Sequence, residues 1–215
     1  MSKRHAILLI VLVLVLDQIS KIYIKTNFYL GESVEVFNWF KILFIENEGA
    51  AWGAKLSDIF PISDEKGKLI LTLFRLLAIC GIGYWLWDII RKAASRTLII
   101  AVSLIFAGAV GNIIDSLFYG LIFNDSTNQI ASFMAEDNYG GLFYGKVVDM
   151  LYFPIIDASW PKWVPLVGGS SFRFFEPVFN LADTAISTGV GILLVFNKKA
   201  FGKKEEESTE APQNV

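Results

Sequence analysis

Four stretches of the chain run apolar for long enough, or nearly long enough, to cross a bilayer, and polar segments separate them. A spanning helix needs about 20 mostly apolar residues. Residues 69–87 are apolar except for Thr72 and Arg75, and residues 97–114 carry no charge. Residues 177–197 read as another span, with Pro177 at the start, where a missing N–H is tolerated, and one charge inside, Asp183. The first stretch is less regular: residues 6–16 are wholly apolar, then Asp17 and Lys21 interrupt before Ile22, Tyr23 and Ile24. A basic start at Lys3 and Arg4 ahead of that run also resembles a cleavable secretory signal. No small-x-small cleavage site follows Leu16, however, and Asp17 and Lys21 stand four apart, where opposite charges meet on one helix face. The stretch is therefore read as an uncleaved span.

The expected fold is an α-helical membrane protein with four transmembrane helices, at about 6–24, 69–87, 97–116 and 177–197. They form a single polytopic domain over residues 1–200, with two long segments outside the bundle, 25–68 and 118–176. Residues 33–45 (SVEVFNWFKILFI) are rich in Val, Ile, Phe and Trp and partly alternate, which predicts one or two short strands and a small sheet on the membrane surface. The second segment is broken by Gly140, Gly141, Gly145, Pro154, Pro161, Pro165, Gly168 and Gly169 into loops with brief extended pieces. Its Tyr139, Tyr144, Tyr152, Trp160 and Trp163 suit the headgroup region. The polar tail at 203–215 reads as disordered.

Charge sets the orientation. Lys3, Arg4, Arg91, Lys92, Arg96, Lys198, Lys199, Lys203 and Lys204 all fall on one side of a four-span arrangement, the side that the bias of basic residues makes cytoplasmic. Both termini are thus expected inside and both long segments outside. Composition agrees with lipid: 54% hydrophobic, 14% aromatic and only 19% charged, with a mean hydropathy of +0.51. A net charge of −2 with no basic stripe argues against a nucleic-acid partner. One Cys (Cys80) and one His (His5) leave no disulfide framework, no Cys/His zinc site and, unless His5 takes part, no His-based triad.

The remaining chemistry lies in charges at membrane depth, which are costly and therefore functional candidates. Arg75 reads as facing a neighbouring helix or pairing with an acid, and Asp17 with Lys21 reads equally as an ion pair or as part of a site. Asn112 and Asp115 share a helix face in GNIID, Asn180 and Asp183 share one in FNLAD, and Asp149 sits in the apolar run KVVDMLYF between them. Three carboxylates can therefore converge at the outer surface. Two in contact share a proton, so that one serves as base and the other as acid. Such a pair activates water and protonates a leaving group without His, Cys or metal.

DQISK at 17–21, NEGAAWG at 47–53, GNIID at 111–115, VVD at 147–149 and FNLAD at 179–183 together resemble the ordered motifs of the lipoprotein signal peptidase (signal peptidase II) family. The resemblance implies a bacterial inner-membrane aspartyl endopeptidase with four spans and a small periplasmic sheet. It implies a catalytic dyad of Asp149 and Asp183, with Asp17, Lys21, Asn47, Asn112, Asp115 and Asn180 as binding or supporting residues and no cofactor or metal. The implied substrate is a prolipoprotein whose lipobox cysteine carries a diacylglyceryl group and is cut just before that cysteine; membrane lipid is a partner, and a monomer is expected. Two departures stand out. Ser116 occupies the place where the family pattern continues with Arg, so the cation near the site is missing or comes from elsewhere, such as Arg173. The spacings from Asp115 to Asp149 and from Asp149 to Asp183 also exceed the family's, which points to insertions in the outer segments.

Three other readings compete: a small proton- or cation-coupled transporter, a serine–lysine peptidase using Ser20 or Ser171, and a dyad of Asp115 with Asp183. Entry of substrate from the bilayer is expected to need movement of the segment around residues 139–152.

Overall fold

The computed structural model describes residues 1–48, 56–154, 156–159, 161–165, 168–174 and 177–202. The NEGAAWG residues from 49 onward, Trp160 and the tail at 203–215 lie outside them. Helix α1 (Lys3–Asn27) is followed by strands β1 (Ser33–Phe37) and β2 (Phe40–Asn47), then α2 (Asp64–Arg91) and α3 (Arg96–Ile114). Helix α3 runs on through a π-helical turn, Asp115–Tyr119, and a last turn, α4 (Gly120–Ile122). Strands β3 (Val147–Tyr152), β4 (Ile156–Ser159), β5 (Ser171–Phe174) and β6 (Val178–Phe179) precede α5 (Leu181–Val195) and α6 (Asn197–Phe201).

Side-chain caps decide where helices begin. The Ser2, Ser63 and Ser95 hydroxyls and the Asn180 carboxamide each accept from the backbone N–H three residues on, satisfying a donor that has no partner within the helix. Among the described residues, three helices are long and apolar enough to cross a membrane: α1, α2 and the stretch from Arg96 to Ile122. The fourth expected span is shorter than 177–197. Asn180 caps α5, and Pro177 stands ahead of strand β6 instead of at the first helical position. The 15 residues of α5 measure about 22 Å, against the roughly 30 Å of a hydrocarbon core.

The packing of α5 on α3 depends on small residues. A Cβ added at Gly108 would lie 2.2 Å from the Ala182 carbonyl oxygen, and one at Gly189 would lie 2.6 Å from that of Ala101. Without a hydrophobic drive between helices in lipid, such close approach supplies the attraction. At the far end of the bundle, Ala6, Leu86, Ile89, Leu98, Ile99, Val102 and Ala200 form a core cluster, and the Ser95 hydroxyl donates to the Ala200 carbonyl at 2.8 Å. The cluster and that contact gather the chain start, the α2–α3 turn and α6 at one end, and with them Lys3, Arg4, Arg91, Lys92, Arg96, Lys198 and Lys199.

The other end carries an antiparallel sheet in the order β1-β2-β3-β6, and β4 pairs with β5 in a separate hairpin. The predicted 33–45 strands are β1 and β2, paired Ser33 to Leu43. Strand β3 lies inside the sheet, with Ile45 opposite Asp149 and Leu151 opposite Phe179. Stacked rings of Phe40, Phe153 and Phe179, 4.8 and 5.6 Å apart, join β2, β3 and β6.

The segment expected to move for substrate entry, residues 139–152, is tied to the end of α3 by backbone hydrogen bonds in this structure. The wider π-helical turn and the turn after it leave carbonyls that bind the loop before β3: Gly145 N–H donates to Ser116 at 2.9 Å, Phe143 N–H to Leu117 at 3.2 Å and Gly140 N–H to Gly120 at 3.0 Å. The Cβ of any other residue at 145 would lie 1.9 Å from the Asp115 carbonyl oxygen. Because β3 carries Asp149, these bonds also set where that carboxylate stands against the end of α3.

Candidate active site

Asp149 reaches the site from β3 and Asp183 from the first turn of α5, and Asn180 connects them. The Asn180 side-chain amide donates to Asp149 Oδ1 at 2.7 Å, and its backbone N–H donates to Asp183 Oδ2 at 3.3 Å. The same residue caps α5 by accepting from Asp183 N–H at 2.9 Å, a reciprocal capping box. The element that starts the helix therefore also sets the two carboxylates. Asn47, the last residue of β2, donates to Asp149 Oδ2 at 3.2 Å, and Asn112 donates to Asp183 Oδ1 at 2.7 Å.

Burial and the negative charge of Asp183 push the Asp149 carboxyl up to about 7, against the pull of the Asn47 and Asn180 hydrogen bonds and the Lys21 charge. A carboxyl in that range exchanges its proton near neutrality, as a general acid or base requires.

Behind the pair lies a second layer. Lys21 is fully buried and spends its three donors on Asp17 Oδ2 at 2.9 Å, Asp115 Oδ2 at 2.8 Å and Asn112 Oδ1 at 2.9 Å. The Gln18 amide adds a bond to Asp115 Oδ1 at 2.9 Å, Val148 N–H donates to Asp115 Oδ2 at 3.4 Å, and Ala182 N–H donates to Asp17 Oδ1 at 2.9 Å. Gly111 makes room: a Cβ there would stand 2.7 Å from Asp17 Oδ2. All eight residues singled out from the sequence thus meet in one network that ties α1, β2, α3, β3 and α5 together.

The geometry bears on some of the competing readings, while the side chains of Ser171 and Arg173 lie outside the described residues. Asp115 is committed to Lys21 and Gln18, whereas Asp149 and Asp183 share Asn180. Ser20 donates to the Asp17 carbonyl at 2.8 Å, and Lys21 is occupied by two carboxylates and Asn112, so a Ser20–Lys21 couple is not assembled. Ser116 does not replace a cation: it is buried and donates to the Asn112 carbonyl at 3.1 Å. No group of three or more His, Cys, Asp or Glu among the described residues is arranged to hold a metal ion.

The sequence reading missed a neighbouring cluster. Lys25, fully buried, pairs with Glu46 and donates to Ser126 Oγ at 2.8 Å. Its ammonium lies over the Phe123 and Tyr139 rings, 5.3 and 5.0 Å from their centroids, and Lys146 reaches Glu46 at 3.2 Å. Burial pushes the Glu46 carboxyl up, but Lys25, with help from Ser126 and Lys146, holds it below the usual carboxylate range. A charged residue just past an apolar run, at Lys25, was the one available signal.

Comparison with known proteins agrees with this architecture. A family model described as signal peptidase (SPase) II matches residues 9–198. The lipoprotein signal peptidase of Porphyromonas gingivalis is 47% identical over 189 residues, 87% of this chain and 80% of that protein. That of Amoebophilus asiaticus is 34% identical over 206 residues, 94% and 80% of the two chains. A bacterial membrane enzyme solved by the in meso method at 1.9 Å resolution is 26% identical, with a TM-score of 0.58, over 91% of this chain and 93% of that one.

Proposed function

Because this chain belongs to the signal peptidase II family, a protease family that removes signal peptides from prolipoproteins in the bacterial membrane, we propose that its hydrolysis is of the aspartic type and is run by Asp149 and Asp183. The observation that carries this reading is the bridge through Asn180, which couples two carboxylates, one of them, Asp149, pushed up to about 7 by burial and the charge of Asp183. In this reading the shared proton of the resting pair sits on Asp149. Asp183 takes a proton from water, the water oxygen attacks the scissile carbonyl carbon, and Asp149 gives its proton to the carbonyl oxygen. On collapse of the resulting diol, the carbon–nitrogen bond breaks, the departing amine takes the proton from Asp183, and a diol hydroxyl returns one to Asp149. One water is consumed and both carboxyls are restored.

In this reading the gathered basic end of the bundle faces the cytoplasm and the sheet end faces outward, which sets the dyad near the outer membrane surface. The substrate's diacylglyceryl group supplies its own anchor. Each buried methylene contributes about 0.8 kcal/mol, so two acyl chains left in the bilayer hold the modified cysteine at that depth, and a monomer has only to position the scissile bond. A transporter would place its acids near the bilayer midplane, whereas these cluster beneath the sheet.

The test is cleavage of diacylglyceryl-modified prolipoprotein by purified protein in detergent. Asp149→Asn and Asp183→Asn are expected to abolish cleavage with wild-type melting temperatures. Near-normal turnover by Asp149→Asn would overturn the assignment.

A further inference from the structure

Between residues 69 and 87, α2 carries one charge, Arg75, and the rest of the helix fixes which way it faces. At the sheet end, Lys68 Nζ donates to the Tyr144 carbonyl at 2.8 Å. One turn on, Thr72 is buried with its hydroxyl on the Lys68 carbonyl at 2.9 Å. Further along, Gly83 abuts the Phe106 ring, where an added Cβ would meet a ring carbon at 3.0 Å, and Leu86 and Ile89 enter the core. These positions follow the helical period and mark the inward stripe. Arg75 lies on it, three residues after Thr72, and is partly buried. Helical side chains lean toward the helix N-terminus, so a long one at 75 extends back toward the sheet end. There its guanidinium interacts electrostatically with both Asp183 and Asp149.

The dyad needs such a partner. Two carboxylates sharing one proton carry one negative charge, which is costly in a buried setting unless paired. Lys21 is spent on Asp17, Asp115 and Asn112. Lys25 is spent on Glu46 and Ser126. Ser116 brings no charge from α3.

Building on the aspartic reading above, we propose that Arg75 is the counter-charge of the dyad: a positioning residue, delivered from α2, that keeps Asp149 and Asp183 in the singly protonated state. Arg suits the task because it stays charged when buried and offers five donors in a planar fork. Among the described residues, the groups facing the dyad are then Arg75 from α2, Asn47 from β2, Asn112 from α3 and Asn180 from the α5 cap. Lys21 of α1 lies one layer behind, with its charge balanced by Asp17 and Asp115.

The test uses the full chain with lipid-modified prolipoprotein, following kcat and KM against pH. Arg75→Gln keeps much of the side-chain bulk and removes the charge. It is expected to lower kcat about tenfold, the equivalent of one pKa unit on the pair, to leave KM nearly unchanged and to move both limbs of the pH profile to higher pH. Arg75→Lys is expected to recover most of the rate with the limbs near their wild-type positions. Thermal melting gives a second readout: Arg75→Gln should cost less stability in an Asp183→Asn background than in the wild type. An unshifted profile in Arg75→Gln, or equal stability costs in the two backgrounds, would overturn the proposal. Asp149→Asn and Asp183→Asn run in parallel separate the two levels: if both are inactive while Arg75→Gln behaves as wild type, only the counter-charge fails, whereas active Asp variants would sink the dyad itself.

Discussion

Replacing Asn47 with Ala removes one hydrogen bond from Asp149, and the direction and size of the consequence both follow from the site. The Asn47 amide reaches Asp149 Oδ2 at 3.2 Å and favours the ionised carboxylate, opposing burial and Asp183, which drive the carboxyl up to about 7. Deleting the bond must therefore raise that value further. A hydrogen bond to a charged group contributes about 1.5–3 kcal/mol, and each 1.36 kcal/mol corresponds to one pKa unit. A charge-assisted bond is usually about 2.7–2.9 Å long, so one at 3.2 Å belongs at the weak end, and the expected shift is about one unit. Asp149 works as the protonated acid, so activity is present below its pKa and lost as pH rises through it. The alkaline limb of kcat/KM should accordingly move from about 7 in the wild type to about 8 in Asn47→Ala, which then outlasts the wild type in mildly alkaline buffer. The measurement is cleavage of lipid-modified prolipoprotein across that range, with melting temperature as the control for folding. An unmoved limb, or one displaced to lower pH, would refute both the role of Asn47 and the identity of the acid.

Lys21→Met leaves Asp17 and Asp115 buried without their cation and should cost about 3–5 kcal/mol in detergent unfolding; adding Asp115→Asn should recover part of the loss, and a neutral effect of Lys21→Met would show that the network is dispensable. Gly108→Val places a branched side chain where even a Cβ would meet the Ala182 carbonyl oxygen at 2.2 Å, so it should lower stability by about 1–3 kcal/mol or more and perturb Asp183 through the displaced α5; an unchanged melting temperature and turnover would contradict the packing argument. Asn180→Ala loses the helix cap, about 0.5–2 kcal/mol, and the bridge between the carboxylates, so kcat should fall by more than the stability loss explains; equal turnover in folded protein would remove Asn180 from the site.

The helices were legible because membrane solvation imposes a single demand, a long apolar run, which residues 69–87 meet but for Thr72 and Arg75 and residues 97–114 meet with no charge. Their ends were less so. The first two helices begin at Lys3 and Asp64, ahead of the apolar runs, since Ser2 and Ser63 cap polar first turns that hydropathy does not register. At the fourth span the error went the other way: Pro177 and the apolar residues after it fitted a helix start, yet Asn180 is the cap and β6 takes the two residues before it. Strand β3 was read only as an apolar run because it is buried along most of its length, so VVDMLY shows no alternation.

The site was legible where its residues share a local pattern, and obscure where only the fold unites them. Asn180 and Asp183 stand three apart on one helix, so their pairing could be read from spacing alone. Arg75 could not be read that way: its helix spacing relates it to Thr72, while its electrostatic partners lie on β3 and α5, and a cation in a span is equally consistent with any acid in the bundle. The same holds for Lys25 and Glu46, whose pairing depends on how α1 ends against β2. That cluster nonetheless bears on the chemistry, because Glu46 and Asn47 are adjacent in β2 and point to opposite faces of the sheet. Lys25 and Lys146 hold Glu46 on one face, and the strand they fix presents Asn47 to Asp149 on the other. A buried ion pair contributes little net stability once desolvation is counted, so what this one supplies is register: it pins β2 at the residue whose neighbour tunes the acid of the dyad.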